Sequence, residues 1–117
     1  MKSIKKYLGK IVTVKIDRKI GSKHPKYDFI YPINYGYLEN TISGDGKEID
    51  AYILGINKPI HEFTGRCIAI IHRKDDNEDK LVVVSEFKEY SKEEIRKIID
   101  FQEKYFDIEI INDIQKD

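Results

Sequence analysis

Apolar and polar residues alternate along Ile11-Val12-Thr13-Val14-Lys15-Ile16-Asp17, and the β-branched content of the run predicts a half-buried strand. Residues 18–29 break that rhythm: they are basic and interrupted by Gly21 and Pro25, which predicts a turn or long loop. Alternation resumes from Glu48 to Leu54, with Ile49, Ala51 and Ile53 on one face and Asp50 and Tyr52 on the other. In that phase the Asp50 carboxylate points away from the apolar side. Gly65 to His72 and Lys80 to Ser85 read as two further strands, joined as a hairpin by the acidic turn Asp75-Asp76-Asn77-Glu78-Asp79. The period then lengthens. Ser91, three residues before Glu94, forms a capping box, and Ile95, Ile98, Ile99, Gln102, Tyr105 and Phe106 follow at helical spacing. Ile108, Ile110 and Ile111 suit a short edge strand. Several short strands and one late helix predict an α+β domain: a small closed or partly open β-barrel, OB-like, with a flanking C-terminal helix.

Composition narrows this picture. The 117 residues suit a single domain, 1–117, with one modest core. Twenty-one basic residues balance 21 acidic ones, which argues against a general nucleic-acid or anionic-membrane binder. Cys67 lies within the apolar run Cys67-Ile68-Ala69-Ile70-Ile71 and reads as a buried structural thiol. A lone cysteine offers no disulfide framework, which suits a reducing cytoplasm. No apolar run approaches the roughly 20 residues of a membrane span, and no signal-type apolar region follows the Lys-rich start.

Candidate chemistry concentrates in Tyr31-Pro32-Ile33-Asn34-Tyr35-Gly36-Tyr37 and, eight residues on, Asp45-Gly46-Lys47-Glu48-Ile49-Asp50. Tyrosine hydroxyls can donate to phosphate oxygens, and aspartate oxygens suit Mg²⁺. Taken alone, Asp45-Gly46 is a common turn. The second acidic cluster, Asp75 to Asp79, reads alone as a solvated hairpin turn. Asp75, Asn77, Asp79 and Glu86 match positions 1, 3, 5 and 12 of a calcium loop, but Lys80 stands where that loop needs Gly and strands flank it. His72 ends a strand beside this turn, as a structural hydrogen-bonding group in preference to a metal or phosphate ligand.

The tyrosine run and the loop after it resemble the signature of the soluble (family I) inorganic pyrophosphatases, in which Tyr-Pro-x-Asn-Tyr-Gly-Tyr precedes an Asp-Gly-Asp-Pro-x-Asp metal loop. Glu78-Asp79-Lys80-Leu81 is similar to the family's Asp-x-Lys, and Phe101 to Glu109 resembles its helix ending in Tyr-Lys-Asp-Leu-Glu. The likeness spans about residues 11 to 109 and is densest from Tyr31 to Leu54. It implies Mg²⁺-dependent hydrolysis of pyrophosphate or a related phosphoanhydride. Asp45, Asp50 and Glu78 would hold the metal, and Asp50 and Lys47 would stand at the catalytic centre. Tyr31, Tyr35, Lys80 and Tyr105 would bind substrate, with Lys23, and second Lys26, supplying the basic residues of a shortened N-terminal hairpin.

The chain departs from the family at Lys15, Lys47, Arg73 and Phe106. Three of these put a positive group where the family has a negative one, so fewer metal ions are expected. A second reading is therefore a phosphate- or nucleotide-binding module that has lost hydrolysis, since a cation can replace a metal for binding but cannot activate water. A third, a small nucleic-acid-binding barrel, would need exposed aromatics on one sheet face and a basic stripe. The expected partners are a small anionic substrate and further copies of the chain, with neither nucleic acid nor membrane.

Overall fold

The structure, a computed structural model, describes residues 4–44 and 46–112. Six strands form one sheet: β1 (Ile11–Arg18), β2 (Asn34–Leu38), β3 (Ile49–Ile53), β4 (Glu62–Arg73), β5 (Asp79–Val84) and β6 (Ile108–Ile111). Their order is β1-β2-β3-β5-β4-β6, and β1 also pairs with β4, so five strands close a barrel and β6 lies outside it on β4. A 3-10 turn (Ile4–Tyr7) precedes β1, and helix α1 (Lys92–Glu103) lies between β5 and β6. The predicted barrel and C-terminal helix are both present. No helix among the described residues is long and apolar enough to cross a membrane.

Alternation along the strands makes two cores. Val14, Ile16, Ile49, Ala51, Ile53, Leu81 and Val83 fill the barrel interior. Tyr52, Val82 and Val84 point the other way and pack with Ile95 and Ile99 of α1. Each isoleucine buried this way is worth about 1.5–3 kcal/mol of transfer free energy. Asp50 and Lys80 fall in the outward phase, and they are register partners across the parallel β3–β5 pair. The predicted phase of Glu48 to Leu54 therefore holds, and it delivers both charges to the helix side of the barrel.

Strand β4 carries a bulge between Cys67 and Ala69. Before it, Phe63 and Cys67 face the barrel interior; after it, Ile70 faces inward while Ala69 and Ile71 face α1. The extra residue inverts the phase. Arg73, two residues beyond Ile71, is thereby sent to the helix side. Cys67 is buried, and burial pushes its thiol pKa up to about 12, as an inert structural group requires.

Helix α1 begins where the capping box predicts. The Ser91 side chain accepts from the Glu94 backbone N–H, and Glu94 Oε1 accepts from the Ser91 backbone N–H at 2.8 Å. It ends sooner than its apolar spacing suggests, at Glu103 with Lys104 as C-cap, so Tyr105 and Phe106 lie beyond it.

Candidate active site

The motif from Tyr31 to Tyr37 is a device for closing the barrel and exposing hydroxyls beside it. Gly36 is needed for approach: a Cβ there would lie 1.8 Å from the Lys15 carbonyl oxygen on β1. Asn34 is fully buried and ties two loops to β2, its Oδ1 accepting from the Ile20 N–H at 3.1 Å and its Nδ2 donating to the Lys58 carbonyl at 2.9 Å. The loop before β3 is held against the β4–β5 turn. Ser43 Oγ accepts from the Asp79 N–H at 3.2 Å, and a Cβ on Gly44 would lie 2.1 Å from the Asn77 carbonyl oxygen. The two acidic loops, about thirty residues apart in sequence, are thus packed together.

A cavity of about 660 Å³ opens on the helix side of the barrel. Tyr31, Tyr35, Asp50, Glu78 and Lys80 line it, as do Lys26 and Lys47. Tyr35 and Lys80 are buried at its floor, where the Lys80 ammonium donates to the Tyr35 hydroxyl and that hydroxyl donates to Asp50 Oδ2 at 2.6 Å. The Lys80 Nζ also lies 3.7 Å from carboxylate oxygens of Asp50, Glu78 and Glu103. Burial, with the Asp50 charge beside it, holds the Tyr35 pKa well above 10, so this hydroxyl stays a donor.

Behind the floor runs a polar network that the sequence reading did not anticipate. Arg73 makes two bonds to Glu103, Nε to Oε1 at 2.9 Å and Nη2 to Oε2 at 3.0 Å, and its Nη1 donates to Glu78 Oε1 at 3.0 Å. Tyr31 donates to Gln102 Oε1 at 2.8 Å, Gln102 Nε2 donates to the Tyr52 hydroxyl at 2.7 Å, and Tyr52 donates to Glu103. Burial opposes the charge on Arg73 and on Glu103, but their mutual bonds, aided by Glu78 and Lys80, outweigh it: Arg73 is raised and Glu103 lowered. Burial pushes Tyr31 up to about 12, against the pull of Arg18. The signal for this network was Gln102 on the buried stripe of α1, a polar group that must find partners.

The four departures have separate fates. Lys15 pairs with Glu62 at 2.8 Å on the barrel surface and does not line the cavity. Lys47 lines the cavity. Arg73 and Phe106 meet: the guanidinium carbon lies 3.5 Å from the Phe106 ring centroid.

Two expected substrate groups lie elsewhere. Lys23 is exposed, bridges to Ile30 and lies 4.0 Å from Asp28, because the turn carries its side chain outward and brings Lys26 to the cavity. Tyr105 is 45% exposed and stacks on Tyr27 at 4.4 Å, since the helix ends at Glu103 and the helical spacing from Ile95 to Gln102 does not continue to it. Asp45 lies outside the described residues. His72 takes the structural role, its Nδ1 2.7 Å from Asp79 Oδ1. Arg18, Asp17 and His24 also line the cavity and were not singled out as site residues. For Arg18 the available signal was its place at the end of an alternating strand.

A sequence model described as inorganic pyrophosphatase matches residues 5–112. The inorganic pyrophosphatase of Xylella fastidiosa (strain 9a5c) is 34% identical over 65 residues, 52% of this chain and 36% of that protein. The match thus spans about a third of that relative's length. The crystal structure of inorganic pyrophosphatase from Ehrlichia chaffeensis superposes with a TM-score of 0.68 at 17% identity, covering 90% of this chain and 87% of that one. Inorganic pyrophosphatase from Helicobacter pylori gives 0.63 at 17% identity, covering 87% and 82%. These two likenesses establish the same fold. With nearly the whole chain inside the family match, the chain belongs to the inorganic pyrophosphatase family.

Proposed function

We propose that this chain binds inorganic pyrophosphate in the helix-side cavity and hydrolyses it to two phosphates with Mg²⁺, in the cytoplasm. The Asp50–Tyr35–Lys80 chain carries the reading: it sets a carboxylate, a locked hydroxyl and a buried ammonium at one cavity floor.

The family implies a divalent metal cofactor. Asp50 and Glu78 are hard oxygen donors on the cavity wall, and both lie within reach of the same ammonium. Among the described residues no three His, Cys, Asp or Glu side chains converge as a metal site. Of the described wall, the Asp50/Glu78 edge offers one ion hard oxygen donors, where it would compete with Lys80. When bound there, Mg²⁺ supplies neutralisation of phosphate charge and acidification of water.

The chain's own groups supply the rest. Lys80 is held in place by Tyr35 and sits where negative charge on the substrate would accumulate. Lys26, Lys47 and Arg18 add positive charge around the opening. The Arg73–Glu103 pair anchors Glu78, so this carboxylate is oriented before substrate arrives. One observation favours the second reading, a binding module without turnover: Arg73 already bonds Glu78, and this gives from a side chain part of the neutralisation a metal would give.

Phosphate release from pyrophosphate, with and without Mg²⁺, decides between them. Turnover that requires Mg²⁺ is the expected result. Saturable pyrophosphate binding without release of phosphate supports the module and overturns hydrolysis.

A further inference from the structure

The turn that carries Lys26 into the cavity is organised by a histidine. His24 Nδ1 accepts from the Lys26 backbone N–H at 2.9 Å and from the Tyr27 backbone N–H at 3.0 Å. A ring nitrogen that accepts two N–H groups carries no proton, so the neutral ring must hold its proton on Nε2, at the opposite edge. The ring is fixed in place, 4.9 Å from Tyr27 and from Phe29 and stacked at 6.0 Å on Tyr31. His24 lines the cavity, and no hydrogen bond from Nε2 to protein occurs among the described residues.

Asp17, Glu48, Asp50 and Glu78 line the same cavity, but the charges that weigh most on His24 are cationic. Burial lowers the His24 pKa first, and Arg18, Lys80, Lys26 and Arg73 lower it further. Four cations near one neutral donor make a place that favours an anion, while the same cations disfavour a fifth positive charge.

We propose that His24 is a substrate-binding residue of this site, its Nε2–H donating to a phosphate oxygen of the bound phosphoanhydride. The proposal rests on the reading that the cavity takes such an anion. A neutral donor grips phosphate without adding charge that must be desolvated, and two backbone bonds aim it beforehand. It takes over, from the 24–27 turn, a place the sequence reading had given to Lys23.

Histidine ring ¹⁵N–¹H correlation spectra of the ¹⁵N-labelled chain, alone and titrated with inorganic phosphate or pyrophosphate, test this. The expected pattern is a neutral Nε2–H tautomer for His24 whose Nε2–H resonance moves on saturation, while His61 and His72 stay still. In parallel, His24→Asn keeps an acceptor for the two backbone N–H groups and removes the far donor. Its pyrophosphate dissociation constant should rise about tenfold at unchanged melting temperature. A His24 resonance that ignores saturating anion, or a His24→Asn chain that binds as tightly as the parent, overturns the proposal. If that variant fails to fold, the parent spectra decide alone. His24 shifts without turnover leave this inference standing and remove hydrolysis; turnover with a silent His24 does the reverse. If neither anion binds, both fall.

Discussion

Asp50 is the residue on which the hydrolytic reading depends most directly. It holds the Tyr35 hydroxyl at 2.6 Å, lies 3.7 Å from Lys80 and lines the cavity. Asp50→Asn keeps the size of the side chain and a carbonyl acceptor for Tyr35, so the fold should survive. Pyrophosphate turnover should fall by about a hundredfold or more, as expected when a charge aimed at the reacting group is lost. Phosphate release together with a thermal melt checks this, and normal turnover would place the working carboxylate elsewhere. Lys47 makes the opposite case. It stands where the family has an aspartate, and an ammonium cannot ligate Mg²⁺. Lys47→Asp should raise both bound metal, counted by titration calorimetry, and turnover. A fall in turnover instead would show that Lys47 itself grips substrate. Both residues were legible in the sequence because their motif is contiguous, and Tyr35 and Lys80 were legible as site residues; that Asp50 pairs with Lys80 was not, because only the folded barrel lays β5 parallel beside β3, thirty residues on.

At the scale of elements, α1 covers the helix-side core and brings Gln102 and Glu103 to Tyr31, Tyr52 and Arg73. Its start depends on the Ser91–Glu94 box. Ser91→Ala should cost about 1 kcal/mol. For a domain of this size that is a loss of about 4 °C in melting temperature. Differential scanning calorimetry reads it, and pyrophosphate binding should change little, since Ser91 lies at the far end of the helix from Gln102. The bulge in β4 acts at the same scale. By inverting phase after Cys67 it takes Arg73 out of the barrel interior and sets it against Glu103. Alternation read from sequence gave this strand its place but could not locate the inversion, because Ile68, Ala69, Ile70 and Ile71 are apolar on both phases.

The whole molecule is held to its helix partly by charge. Glu103 is 1% exposed at its side chain and pairs with Arg73, so removing one partner strands the other. Glu103→Gln should destabilise the chain at neutral pH by about 3 kcal/mol, read by urea denaturation. The pH dependence follows from the direction of the shift. Glu103 titrates below its ordinary 4.5 in the folded chain, so the stability it adds is complete above 4.5 and is lost as pH falls through the folded value. Acidification from pH 7 to 5 should therefore leave this contribution intact. Below about 4.5 the parent should lose stability more steeply than Glu103→Gln; parallel acid limbs would mean that other carboxylates dominate.

Strands β1, β3, β4, β5 and β6, the helix start and the tyrosine motif followed from local rules: apolar patterning, a capping box, and a run of residues whose order alone limits what they can build; β2, inside that motif, did not announce itself as a strand. The phase of Asp50 belongs here too, since alternation sets it within one strand. Packing decided the rest. Where α1 stops separated Tyr105 from the cavity, and the shape of the 24–27 turn exchanged Lys23 for Lys26 and His24. The β4 bulge joined Arg73 to Glu103 and Phe106. Each of these turns on which side of the chain a residue faces after an irregular step. A one-residue change of phase carries no signature in the identity of the residues beside it, and only closure of the barrel and docking of the helix select it.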